Sequence, residues 1–339
     1  LVMTSGNLSD EPIAIDDDDA RRRLAPIADL FLGHNRRIHI RCDDSVTRVI
    51  DETELPVRRS RGDAPGTIRL PRPCPRPILA LGGQLKAVFA LGLGQQAVLS
   101  HHLGDLDHRQ AWEAYRRDLQ LYEKLFAFRP EVIVHDLHPD YATTRYAEDR
   151  ARGEGLSRLA VQHHHAHLAS CLADQGIDET VIGVTFDGTG LGTDGAIWGG
   201  EFLVGDCREF RRLAHLRYVR MPGGDQAIRE PWRMALAHLH DAGISCSRWE
   251  QRLPAASRRI VAQIVERPGL SPATSSMGRL FDAVASLLGV ADRVAYEGEA
   301  AMKLEWLAEE GAADDGLASA RSEEHTSELQ SQFHLVCRL

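Results

Sequence analysis

Apolar and polar positions alternate in two periods along this chain, and they divide it into segments. The opening "LVMTSGN" reads as a strand running into a glycine turn. "DDDDARRRLAPIADLFL" reads as a helix with acids at its start and bases one turn later, as the helix dipole favours. "RIHIRCDDSVTRVID" alternates like one or two strands. "RLPRPCPRPIL" then carries four prolines, which argue against a helix or a central strand, so residues 71–77 are expected to be a linker between domains. Beyond it, "ILALGGQLKAVFALGLGQQAVLS" reads as a strand, a turn and two more strands, and "RQAWEAYRRDLQLYEKLFAF" as an amphipathic helix. "EVIVHDLHPDY" reads as a buried strand with polar residues at its end, and "HHHAHLASCLADQG" as a helix closed by Gly176. "TVIGVTFDGTGLGTDGAIWGGEFLVG" gives two strands joined by a glycine-rich turn, and helices dominate after Pro231. The fold class is α/β.

Composition narrows the possibilities. The chain has 339 residues, 43% of them hydrophobic, enough for two or three globular units. A net charge of −9 is a poor match to nucleic acid. No apolar run approaches the ~20 residues that span a bilayer, so no membrane partner is expected. The six cysteines form no C-x-x-C pair, which points to a reducing, cytoplasmic setting. Composition shifts after about Ala320, and residues 321–339 are expected to be an artefactual or disordered tail. The chain is expected to be a fragment, cut at both ends.

Two segments carry candidate chemistry. In "VQHHHAHLAS", His163 and His167 are four residues apart and share one helix face, about 6 Å apart along the axis. Two neutral imidazoles so placed make a metal clamp; His164 lies off that face and need not be a ligand. Such a clamp also needs a carboxylate, and none is specified locally. A plain histidine-rich face is the bland alternative. In "FDGTGLGTDG", glycines let backbone N–H groups approach a phosphate, while Asp187 can hold a metal or orient a metal-bound water. A strand follows rather than a helix, which excludes a P-loop. A strand–D-G-T-G–strand hairpin is how actin/hexokinase-like ATPases grip phosphate, although alone it is also an ordinary turn.

Taken together, "RRSRG", "SHHLGDL", "DLHPDY", "VQHHHAHLAS", "FDGTGLGTDGAIWGGEF", "PGGDQAIREPWRMALAHL", "TSSMGRLFDAVASLLG" and "YEGEAAMKLE" resemble the HypF carbamoyltransferase family of [NiFe]-hydrogenase maturation. The resemblance covers most of residues 1–306. It implies the end of a YrdC-like α/β domain over residues 1–70, then an incomplete TsaD-like domain of the actin/hexokinase-like (ASKHA) class over residues 78–320. It implies that carbamoyl phosphate and ATP, with Mg, yield carbamoyl-adenylate. The carbamoyl group would then pass to the C-terminal cysteine of a partner, HypE. It further implies nucleotide contacts from Thr4, Ser5, Asn7, Ser60 and Arg61, and iron or zinc on His163 and His167. Asp187, Gly188, Thr189 and Gly190 would hold nucleotide phosphate. Lys86, Gly223, Gly224, Asp225, Gly298 and Glu299 would lie near that pocket, with Lys86 and Asp187 joining the two histidines in catalysis.

The resemblance is incomplete. No acylphosphatase segment, no paired C-x-x-C fingers and little of the YrdC-like domain are present, and the last aspartate ligand would lie beyond the chain. The isolated chain is therefore expected not to run the full reaction. Competing readings are an O-carbamoyl or tRNA threonylcarbamoyl transferase of the same fold, or a non-catalytic nucleotide-binding fragment. The upstream YrdC-like piece, the H-H-H-A-H spelling and the acidic charge favour HypF over the tRNA enzyme.

Overall fold

The computed structural model describes residues 5–8, 11 and 13–314. The chain divides into two compact units, residues 1–161 and residues 162–339.

In the first unit, α1 (Asp17–Leu24) begins where the Asp16 side chain accepts the Asp18 and Asp19 N–H groups. It ends eight residues earlier than the sequence pattern predicts, because Pro26 has no N–H with which to continue the helix. The hairpin of β1 (Val46–Ile50) and β2 (Thr53–Arg58) turns through Asp51 and Glu52, both at positive φ. The stretch expected to be a linker is instead part of a long strand, β3 (Thr67–Ala80). Its prolines alternate with Arg72, Cys74 and Arg76, whose N–H groups stay available, and a proline φ suits extended backbone. The ladder from β3 to β4 (Ala90–Leu99) slips twice, between Arg69 and Cys74 and between Cys74 and Ile78, which accommodates the missing donors.

β3 also pairs in parallel with β5 (Val132–Asp136), which pairs in parallel with β6 (Ser157–Val161), giving the order β4-β3-β5-β6. Helices α2 (Arg109–Leu125) and α3 (Ala142–Glu154) complete the unit. Leu79, Leu81, Phe89, Tyr115, Leu119 and Ile133 are fully buried in its core.

The second unit opens with α4 (His163–Gln175), closed by Gly176 in the left-handed region as the sequence predicts. Strands β7 (Val181–Leu191) and β8 (Ile197–Gly205) form an antiparallel hairpin. The D-G-T-G stretch lies within β7, at a register shift between Phe186 and Gly190, and the turn itself comes later, between Leu191 and Ile197. β9 (Phe210–His215) pairs with β8, and β10 (Val219–Arg220) pairs with β11 (Ala273–Thr274), which runs parallel to β8. Around this sheet are α5 (Asp225–Arg229), α6 (Trp232–Ala242), α7 (Ser247–Glu250), α8 (Ala255–Val265), α9 (Met277–Leu288) and α10 (Glu299–Asp314). Met221, Trp232, Met234 and Trp249 form the largest core cluster of this unit. Among the described residues, no helix is long and apolar enough to cross a membrane.

One buried pair in α9 is expected to make stability depend on pH. Arg279 Nε and Asp282 Oδ2 approach to 2.7 Å, and both side chains are buried. Burial pushes the Asp282 carboxyl up to about 6, against the pull of the Arg279 charge. A pKa raised on folding contributes stability that is full below pH ~4 and lost as pH rises through about 6. The ceiling is ~3 kcal/mol, about two pKa units. Urea unfolding of Asp282→Asn between pH 4 and 7 is expected to show a flatter profile than the parent chain; an unchanged profile would assign the slope elsewhere.

Candidate active site

α4 starts at His163 because Gln162 caps it: the Gln162 Oε1 accepts the His165 N–H at 2.9 Å. One helical turn then brings His163 and His167 together, with their Nε2 atoms 3.2 Å apart. The third member comes from β7. Asp187 Oδ2 lies 3.3 Å from His163 Nε2 and 3.9 Å from His167 Nε2. Donors around a tetrahedral ion with bonds near 2.0–2.1 Å stand roughly 3.3 Å apart; the 3.2 and 3.3 Å sides match that spacing and the 3.9 Å side is longer. Among the described residues, His163, His167 and Asp187 are the group that could hold an ion.

The donor set passes a further test. Asp187 Oδ2 is buried and makes no hydrogen bond, whereas Oδ1 accepts the Gly188 N–H at 2.6 Å. A buried carboxylate oxygen left in this state calls for a cation. Burial alone would raise the Asp187 carboxyl, but the His163, His164 and His167 imidazoles outweigh it and hold the group well below the usual carboxylate range. Two neutral imidazoles and one carboxylate suit iron or zinc. The carboxylate that faces the histidine pair is Asp187, supplied by a different element.

Close packing brings the elements to this distance. A Cβ on Gly190 would meet His164 Cε1 at 2.5 Å and His163 Cδ2 at 2.9 Å, so glycine is what admits the histidines against β7. On the other side, Ser276 caps α9 by accepting the Arg279 N–H. Its hydroxyl is shared between the carbonyls of Asp187 at 3.0 Å and Gly188 at 2.7 Å. A Cβ on Gly278 would come within 3.0 Å of Gly188 Cα, so the first turn of α9 lies directly on the D-G-T-G segment.

The remaining predicted residues are distributed as follows. Gly223 and Gly224 both have positive φ and lead into α5 at Asp225, in the same unit. Gly298 also has positive φ; the Glu299 carboxylate accepts the Ala295 N–H and pairs with Lys303, each at 2.6 Å. Lys86 belongs to the first unit, where its N–H donates to Asp105 at 2.7 Å. Ser5 and Asn7 bond each other there, the N–H of the buried Ser60 donates to the Ser45 hydroxyl oxygen, and Arg61 donates to the Cys42 carbonyl. Thr4 lies outside the described residues, as does the expected tail. Sequence reasoning missed Gln162 and the buried Glu201 as supports; "TSSMG" reads as a Thr/Ser cap, which Ser276 is, but with no hint that Ser276 also holds the D-G-T-G segment. The sequence signals were a polar residue just before the histidines and a serine pair just before α9.

Comparison with known proteins identifies relatives of the chain. Residues 1–60 match the Sua5/YciO/YrdC family model, described as telomere recombination. Residues 73–174 match the HypF Kae1-like domain, and residues 183–337 the second subdomain of the carbamoyltransferase Kae1-like domain. Carbamoyltransferase HypF2 of Cupriavidus necator is 47% identical over 91% of this chain and 38% of its own length. Carbamoyltransferase HypF of Rhodobacter capsulatus is 47% identical over 91% and 42%. A crystal structure of full-length HypF in a phosphate- and nucleotide-bound form superposes with a TM-score of 0.85 at 44% identity, over 89% of this chain and 40% of that one. The structure of T. kodakarensis HypF gives a TM-score of 0.81 at 36% identity, over 89% and 41%.

The family models and the solved structures therefore define a YrdC-type segment followed by a Kae1-like domain of the TsaD kind. The chain belongs to the HypF carbamoyltransferase family. It spans about two fifths of the length of these relatives, 38% and 42% for the two curated proteins.

Proposed function

We propose that this chain is the carbamoyl-transferring part of a HypF enzyme. The observation that carries the reading is the His163–His167–Asp187 triangle, with sides of 3.2, 3.3 and 3.9 Å, built from a helix and a glycine-rich strand. Hydrolysis of carbamoyl phosphate would release carbamate and inorganic phosphate; the carbamate oxygen would then attack the α-phosphorus of ATP, with Mg, giving carbamoyl-adenylate as pyrophosphate leaves. The C-terminal thiolate of HypE would attack its carbonyl carbon, forming a C–S bond as AMP leaves. Adenylation supplies the good leaving group. A metal held by His163, His167 and Asp187 would supply Lewis acidity toward the carbamoyl oxygen.

The other residues bind and orient. Backbone N–H groups of Gly188, Thr189 and Gly190 would receive nucleotide phosphate, and Gly223–Gly224–Asp225 and Gly298–Glu299 would border the nucleotide. Ser5, Asn7, Ser60 and Arg61, with Thr4, would serve the adenylating half, and Lys86 the transfer site. Residues 1–70 would then close the YrdC-like domain, and residues 78–320 would belong to the transferase domain. The nucleotide-bound form of the 44%-identical relative supports a nucleotide in this reading.

The test completes the reading frame and supplies carbamoyl phosphate, ATP and HypE. The expected result is one carbamoyl mass increment on the C-terminal cysteine of HypE. An increment that appears equally on a HypE variant lacking that cysteine would overturn the acceptor assignment.

A further inference from the structure

Gln162 is buried, and its side chain does more than cap α4. Oε1 accepts the His165 N–H at 2.9 Å, and Nε2 donates to the Leu191 carbonyl at 3.1 Å. Nε2 also lies 3.1 Å from Nδ1 of His164. Turning the amide over would set its nitrogen against the His165 N–H and its oxygen against the Leu191 carbonyl. Donor would face donor and acceptor would face acceptor, so hydrogen bonding fixes the orientation. The second amide hydrogen therefore points at His164 Nδ1, which accepts it. A neutral imidazole that accepts at Nδ1 carries its hydrogen on Nε2.

That Nε2 is buried and makes no hydrogen bond, in a residue with no exposed surface. It faces Asp187 Oδ2, the equally unsatisfied oxygen, across 3.5 Å. Gly190 backs the ring on β7, and Trp198 lies 6.0 Å away between ring centroids.

Resting on the reading of His163, His167 and Asp187 as a metal centre, we propose that His164 is a positioning residue for the metal-binding carboxylate. Gln162 locks it as the Nε2–H tautomer, so His164 cannot ligate a metal through Nε2 and instead presents a donor to Asp187. The residue in the middle of the histidine run thus acts through Asp187, as a neighbour that holds a ligand in place.

The tautomer is read first, by long-range 15N–1H spectra of the metal-free chain, with the His164 signal identified by its loss in His164→Gln. Hydrogen on Nε2 is expected; hydrogen on Nδ1 overturns the proposal. Co(II) titration then reads affinity and ligand field. His164→Leu, which fills the space without a donor, is expected to weaken Co(II) binding by about 10- to 100-fold. His164→Gln carries an amide donor to nearly the same place and is expected to bind close to wild type, which separates donation from packing. Gln162→Glu can only accept at that side chain; it should move the hydrogen to Nδ1, free Nε2, and change the Co(II) absorption as a third imidazole enters. A wild-type chain that binds no Co(II) overturns the metal-centre reading. A wild type that binds while His164→Leu binds equally well, or while His164→Gln fails as badly as His164→Leu, overturns this inference alone.

Discussion

Asp187→Ala is expected to weaken divalent-metal binding by roughly 100- to 1,000-fold. Structural zinc sites release ~10–16 kcal/mol through four protein ligands, so one ligand accounts for about 3 kcal/mol. The three imidazoles of His163, His164 and His167 converge on Asp187 Oδ2 at 3.3, 3.5 and 3.9 Å, so its loss also removes the anion that faces them. His163→Ala/His167→Ala removes two ligands and is expected to leave no measurable binding. Folding is not at stake in the double variant, because the side chains of His163 and His167 are 24% and 39% exposed and contribute little to the core. Metal content after dialysis against zinc or iron(II), read beside circular dichroism, checks both. Full occupancy in Asp187→Ala would show that the carboxylate belongs to phosphate recognition rather than to the metal.

The histidine pair was legible in the sequence because both members lie on one helix, where a spacing of four fixes their relation. Asp187 was legible only as a candidate. It follows His167 by twenty positions and reaches it on another element, through a close approach that Gly190 permits. Local pattern carries no such distance. The strand through residues 71–77 was misread because prolines disfavour strands in general; here they alternate with residues that keep their donors. α3 left no clear trace in the pattern, since its buried positions are Thr143, Thr144, Ala147 and Ala151, too small and polar to draw an apolar stripe. α1 was overextended because the apolar residues after Pro26 continued the pattern; Leu30 and Leu32 are in fact almost wholly exposed. Glu201 gave no signal. A carboxylate in a strand usually faces water, whereas this one is on β8, between β7 and β9, with no exposed surface.

That buried carboxylate governs the second large effect. Glu201 Oε1 accepts the Gly199 and Gly200 N–H groups at 3.1 and 3.2 Å and the Ser275 hydroxyl at 2.5 Å. Oε2 pairs with Arg212 Nε at 2.5 Å, and the Arg212 guanidinium lies 3.9 Å above the Trp198 ring. Burial would raise the Glu201 carboxyl, but Arg212, Ser275 and the two backbone donors outweigh it and hold it low. Glu201→Ala therefore removes an acceptor from four groups at once and deprives Arg212 of its most buried partner. The expected loss is about 3–5 kcal/mol of unfolding free energy, a large share of the ~5–15 kcal/mol typical of a domain. Glu201→Gln keeps the volume and one acceptor and is expected to lose less. The effect should extend to the site: Ser275 precedes Ser276, whose hydroxyl holds the carbonyls of Asp187 and Gly188, so loosening Ser275 loosens the backbone that aims the carboxylate. Urea unfolding measures the first effect. Metal affinity of Glu201→Gln, measured where the chain is still fully folded, measures the second. A variant that loses stability yet binds metal at wild-type strength would show that the Glu201 network holds β8 to the start of α9 without tuning the site.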